Sequence, residues 1–187
     1  MSRERSFKLS LTVLAVLVGI GFTPMTNAGA SATPFARNRW PRARVTYVIQ
    51  GAHYDRSVYG AAIRAWNRTG QFKFVAGTRA HHQLTLTTSN ATTGEYYQLA
   101  GITFMTGYNN GYYTQGLVKL LTRNFWTYRY SYWDEVHVAE HELGHCMGLQ
   151  HSTDRRSVML ADNRYNGISR ADIAAVRLRY RLPVGEL

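Results

Sequence analysis

The chain has a single cysteine, Cys146, among 187 residues. One thiol excludes an internal disulfide, so stability has to come from packing and from bound metal. A membrane-length apolar run is also missing. The stretch from Leu9 to Phe22 is shorter than the roughly 20 residues that span a bilayer comfortably, which argues against a membrane anchor. It is preceded by Arg3, Arg5 and Lys8 and followed by small residues around Ala28-Gly29-Ala30 and Ala30-Ser31-Ala32. That order reads as a secretory signal peptide over residues 1–30, leaving 31–187 as one domain with no membrane span. No cysteine follows the run, which excludes a lipoprotein anchor. The expected location is extracellular, with association to a cell wall left open. Internal repeats and long low-complexity tracts are absent.

Acidic residues are scarce as well. The chain holds 22 Lys and Arg against 11 Asp and Glu, for a net charge of +11. Residues 1–30 contain three of the basic residues and one of the acidic ones, so the remainder carries 19 against 10, or +9. Arg37, Arg39, Arg42 and Arg44 cluster near the mature start, and Arg170, Arg177 and Arg181 would share one side of a C-terminal helix. Such a field favours anionic partners such as a cell-wall or surface polymer, though it equally suits a basic surface with no dedicated partner. No nucleic-acid-binding motif accompanies the charge, so no nucleic acid is expected.

The densest information lies between His141 and His151, which reads H-E-L-G-H-C-M-G-L-Q-H. Residues four apart on a helix lie on one face, so His141 and His145 can reach one metal ion. Glu142 is displaced by roughly 100° around the helix, beside the metal rather than on it, where a general base for a bound water belongs. Gly148 is free to take the left-handed conformation that ends a helix. The chain can then double back to bring His151 as a third ligand. Three protein ligands and one open position are the pattern of catalytic zinc. With Glu142 as base, the implied reaction is amide hydrolysis without a covalent enzyme intermediate. Val136, Ala139, Leu143 and Met147 supply the core-facing side of this helix. His137, one turn back, is read as a surface or satisfied histidine, and Cys146 as a small buried core residue.

This run resembles the signature of the matrixins, a branch of the metzincin zinc peptidases. Ser152 follows the third histidine, as matrixins usually have it, and Met159 in Ser157-Val158-Met159 looks like their Met-turn, a hydrophobic floor under the zinc histidines. Astacin-like and serralysin-like relatives carry a tyrosine two residues after that methionine, where this chain has Ala161. Matrixins usually continue M-Y-P, where this chain has Met159-Leu160-Ala161, so the wall of the side-chain pocket differs. The similarity extends over most of residues 40–180. It takes in Trp40-Pro41 and Val45 to Ile49 as an opening strand, Ala61 to Trp66 in a first helix, Phe72 to Val75 in a second strand, and Ile168 to Tyr180 as a last helix.

The resemblance implies an α+β, zincin-like catalytic domain. It would have a twisted five-stranded mixed sheet, an active-site helix, and a small C-terminal subdomain ending in a helix. It implies one catalytic zinc on His141, His145 and His151, Glu142 as base, Met159 as support, and a peptide or protein substrate for a monomeric enzyme. An edge strand near Leu99 to Phe104 would pair with the substrate backbone, with Gly101, Ile102, Thr103, Val138 and Leu160 lining the cleft. A cysteine switch is impossible here, since Cys146 lies inside the motif. The stretch Gly94 to Gly116 has no His or Asp, so a second zinc is not expected, and calcium is left open.

Local patterns give the remaining elements. Residues 45–49, 72–75, 84–88, 99–105 and 117–121 read as strands, and 55–67 as a helix with Val58, Ala62, Ala65 and Trp66 on one face. Asn109-Asn110-Gly111 marks a turn. Ser169 and Asp172 form a capping box, which makes Asp172 structural. Phe125, Tyr128, Tyr130 and Tyr132 line a cleft or pack a loop, and packing is the commoner outcome. The competing function is a basic surface-binding protein that keeps the site without turning over peptides. The intact Glu142 argues against it.

Overall fold

The computed structural model describes residues 32–187, so the signal peptide expected over residues 1–30 lies outside the described residues. The chain forms β1 (Arg44–Gln50), α1 (His53–Arg68), β2 (Lys73–Ala76), β3 (Leu84–Ser89), β4 (Gly101–Asn109), β5 (Tyr112–Leu121), α2 (Thr122–Thr127), α3 (Tyr132–Cys146) and α4 (Arg170–Arg181). The five strands make one sheet in the order β2-β1-β3-β5-β4. β1, β2, β3 and β5 run parallel, and β4 pairs antiparallel with β5 at the edge. This is the mixed α+β sheet the resemblance implies.

The β4–β5 hairpin turns through Asn110 at φ 49° and Gly111 at φ 80°. Two successive positive φ values are what a two-residue hairpin loop needs, and Asn-Gly meets it at little cost. Both strands run longer than the apolar pattern indicated, because their tip is rich in Asn, Gly and Tyr and shows no alternation. The short helix α2 carries no sequence signal strong enough to have been expected.

α1 packs on β1, β2 and β3, while α3 packs on β4, β5 and α1. α1 buries Val58, Tyr59, Ala62, Ile63 and Trp66, the apolar stripe of an amphipathic helix. α3 opens with a capping box: Asp134 N donates to Ser131 Oγ, and Ser131 N donates to Asp134 Oδ2. Two fully buried tryptophans then hold the C-terminal half of α3. Trp66 Nε1 donates to the Glu140 carbonyl at 2.8 Å, and Trp40 Nε1 to the Cys146 carbonyl at 2.8 Å. Trp40 also stacks edge-on with Tyr113 of β5. The Cys146 carbonyl is an orphan at the helix C-terminus, so the Trp40 indole serves as its cap. Phe125 is buried, with Tyr130 and Tyr132 packed partly buried against the core. Phe125 and Tyr130 also line a cavity of about 840 Å³ near the first turns of α1 and α3, so both uses foreseen for this aromatic group occur.

Trp40→Phe should therefore lower stability by about 1–3 kcal/mol, since it leaves a buried carbonyl unpaired and shrinks a packed ring. Thermal unfolding followed by circular dichroism measures this. An unchanged melting temperature would mean that the indole bond does not hold the end of α3.

Candidate metal centre

His141 and His145 project from the last two turns of α3, and their Nε2 atoms lie 3.0 Å apart. The helix ends at Cys146, with Met147 as its C-cap. Gly148 follows at φ 99°, a conformation that only glycine takes easily. A Cβ there would also come within 3.1 Å of the Asn38 carbonyl oxygen. The turn brings back His151, and one ligand atom from each of the three histidines falls within 4.8 Å of the others. No other such group of three occurs among the described residues.

The outer nitrogens are already committed. His141 Nδ1 bonds the Val158 carbonyl at 2.8 Å, and His145 Nδ1 bonds the Leu149 carbonyl at 2.9 Å. A carbonyl only accepts, so each Nδ1 carries its proton and each Nε2 presents a lone pair. Burial disfavours the charged rings. It pushes His141 down to about 3, His145 well below the usual histidine range, and His151 downward as well. The imidazoles are thus neutral near pH 7, the form that ligates metal. His151 Nε2 is buried with no hydrogen-bond partner. An unsatisfied buried nitrogen is costly in a plain core and sensible at a metal centre. The donor set therefore fits zinc.

Met159 is fully buried, and its sulfur lies against α3 at Gly144, where any Cβ would collide with it. Gly144 sits between the first two histidines, so the methionine packs against the stretch of α3 that carries them. The turn that carries it is tied down repeatedly. Ser152 N donates to the Met159 carbonyl, and Met159 N to Ser157 Oγ. Asp172, fully buried on α4, accepts from Ser157 Oγ, Thr33 Oγ1, Val158 N and Ser169 N. The capping box expected for Asp172 is present, and it does more than cap. The carboxylate holds Val158, whose carbonyl in turn holds His141.

Glu142 is fully buried beside the triad, facing β4. Thr103 Oγ1 lies 2.7 Å from Glu142 Oε2 and 3.1 Å from the Glu142 carbonyl, so its one proton is shared between two acceptors. The other carboxylate oxygen, Oε1, has no partner. Burial raises the carboxyl to about 8, opposed in part by the Thr103 bond. A Cβ on Gly101 would come within 2.7 Å of Glu142 Cγ and Oε1. Gly101 is thus the space in which the Glu142 carboxylate sits. Neither this nor the Thr103 bond has a local sequence signal, since each joins residues about forty apart.

The other expected cleft residues separate. Ile102 packs with Leu99 and Leu121 in a small buried cluster, and Val138 is fully buried in the main core. Their side chains fill the interior, because inward-facing positions of an edge strand and a core helix are claimed by packing. Leu160 is half-buried, and its backbone bridges Ser152. His137 bonds the Arg164 carbonyl at 3.3 Å and stays outside the triad, and Cys146 is a free thiol in the core.

Asp172→Ala leaves four donors without their acceptor and should cost at least about 3 kcal/mol, in the range for breaking a buried charged network. Zinc affinity should fall along with stability, measured by competition with a chromophoric chelator. Full zinc affinity in a folded variant would disconnect Asp172 from His141.

The chain matches the Matrixin peptidase family over residues 39–181. It is also 26% identical over 161 residues to the macrophage metalloelastase of Rattus norvegicus, an alignment that takes in 79% of this chain and 35% of the relative. The chain thus corresponds to about a third of that protein's length. With two histidines on the last turns of α3, a third just after it and the family match across the sheet-and-helix body, the protein belongs to the matrixin family of metzincin metallopeptidases.

Proposed function

We propose that residues 31–187 form a secreted catalytic domain that hydrolyses internal peptide bonds, using one zinc on His141, His145 and His151 and Glu142 as general base. The observation that carries this reading is the convergence of one ligand atom from each of His141, His145 and His151 within 4.8 Å, with the buried Glu142 next to His141 in the chain. Among the described residues, no helix is long and apolar enough to cross a membrane.

Zinc bound there would supply a Lewis acid for the attacking water and for the scissile carbonyl. The protein residues handle protons and position. Glu142 takes a proton from the water through Oε1, the oxygen left free, while Thr103 fixes Oε2 and so sets the rotation of the carboxylate. The same carboxyl then delivers the proton to the departing amine. β4 is an edge strand, and its start at Gly101 lies against Glu142. An extended peptide added along the free edge of β4 would therefore bring its backbone to the base. Gly101, Ile102 and Thr103 serve this through main-chain groups. Leu160 stands where the side-chain pocket wall differs from the usual matrixin sequence.

Turnover of a mixed peptide library should cease on chelation and return with zinc. Glu142→Gln should lower it by about 10²–10⁴-fold with zinc content unchanged. Activity that survives either treatment contradicts the mechanism. A zinc-loaded protein with no turnover would instead be a binding protein. Gly101→Ala should displace the Glu142 carboxylate and cost roughly 10²-fold in kcat at constant zinc content, the scale of a misplacement near 1 Å. Normal kcat in that variant would place the base elsewhere.

A further inference from the structure

The metal centre leaves a set of cations at one end of the fold unexplained. α4 carries Arg170, Arg177 and Arg181, all exposed. Offsets of seven and four residues put them on one side of the helix, spaced about 10 Å and 6 Å along its axis. Gln71, just before β2, shares a shallow surface cavity of about 210 Å³ with Arg170 and Arg177. Two residues further on, Lys73 stands in register with Arg44 of β1, and both are exposed. Neighbouring strands lie about 4.8 Å apart, so these two cations leave the sheet side by side. Exposed Arg42 immediately precedes them.

No ion pair among the described residues neutralises this band. The two ion pairs among the described residues, Arg156–Asp154 and Arg164–Asp134, lie elsewhere. Segments 41–44, 71–76 and 168–182 contain one carboxylate, Asp172, and it is buried and fully engaged with Thr33, Ser157 and Val158. Arg179 of the same helix provides the contrast. It is fully buried, and its guanidinium donates to the carbonyls of Leu182, Pro183 and Glu186 to fasten the C-terminal tail. A structural arginine in this protein finds acceptors, whereas Arg170, Arg177 and Arg181 have none. Unpaired like charges held together repel one another and cost stability. Guanidinium forks suit phosphate and sulfate oxygens. None of the large exposed aromatic side chains lies in these segments, so there is no platform on which bases could stack.

We propose that this face, formed by α4 and the starts of β1 and β2, binds a linear polymer carrying phosphate or sulfate groups, and so tethers the domain independently of the metal centre.

The test uses the mature protein with polyphosphate and dextran sulfate as probes, binding being measured from about 50 to 200 mM salt. Arg170→Gln/Arg177→Gln/Arg181→Gln removes three charges from the face. Arg79→Gln/Arg123→Gln/Arg155→Gln removes three exposed charges elsewhere. The face variant should lose at least about tenfold in affinity, with a salt slope reduced by roughly two to three units. The control should lose little. Peptide turnover should be unchanged in both, which separates this claim from the peptidase reading. The stronger of the two polymer probes identifies the anion. Equal losses in the two variants, or no binding by the unmodified protein near 150 mM salt, would overturn the proposal. So would single-stranded DNA of matched charge binding tenfold more tightly than either polymer, which would make the face a nucleic-acid site.

Discussion

The hydrogen bond from His141 Nδ1 to the Val158 carbonyl joins the helix that carries two of the histidines to the turn that carries Met159. It fixes the tautomer of the ring, because a carbonyl can only accept. It also sets where Met159 meets α3 at Gly144, since Met159 follows Val158 directly. The bond survives only if Val158 is itself held, and Asp172 does that from α4 through the Val158 amide and the Ser157 hydroxyl. Outer contacts of this kind orient metal ligands and raise their basicity. Helix α4 therefore supports the candidate metal site although it supplies none of its three histidines.

A second constraint is imposed by burial. His141, His145 and Glu142 sit where water hardly reaches, so desolvation drives the histidines neutral and opposes ionisation of the glutamate. Without a cation, the site is a cluster of polar atoms at the end of a core helix, some with no partner. Bound zinc would satisfy the free nitrogens and favour a charged Glu142, linking metal binding to folding stability. A chain without disulfides has reason to depend on that linkage.

The metal site was unusually legible because it is local. His141 to His151 lie in eleven consecutive residues, and helical spacing plus one left-handed glycine suffices to assemble them. The helices α1, α3 and α4, the strands and the Ser169–Asp172 capping box follow from local pattern and cap chemistry in the same way. What could not be read involves distant partners. The contacts of Glu142 with Thr103 and Gly101 cross about forty residues, and the Trp40–Cys146 bond crosses more than a hundred. Placement of Ile102 and Val138 inside rather than along the cleft depends on which face of β4 and α3 is covered, which the resemblance did not specify. The helix α2 is short enough that tertiary contacts, not propensity, decide it.

X-ray absorption at the zinc edge of the purified protein tests the central claim most directly. Three neutral imidazoles and one open position predict three nitrogen neighbours and one exchangeable oxygen at about 2.0–2.1 Å, with histidine outer-shell scattering. A sulfur neighbour near 2.3 Å would bring Cys146 into the coordination sphere and contradict the account, as would four histidines with no exchangeable oxygen.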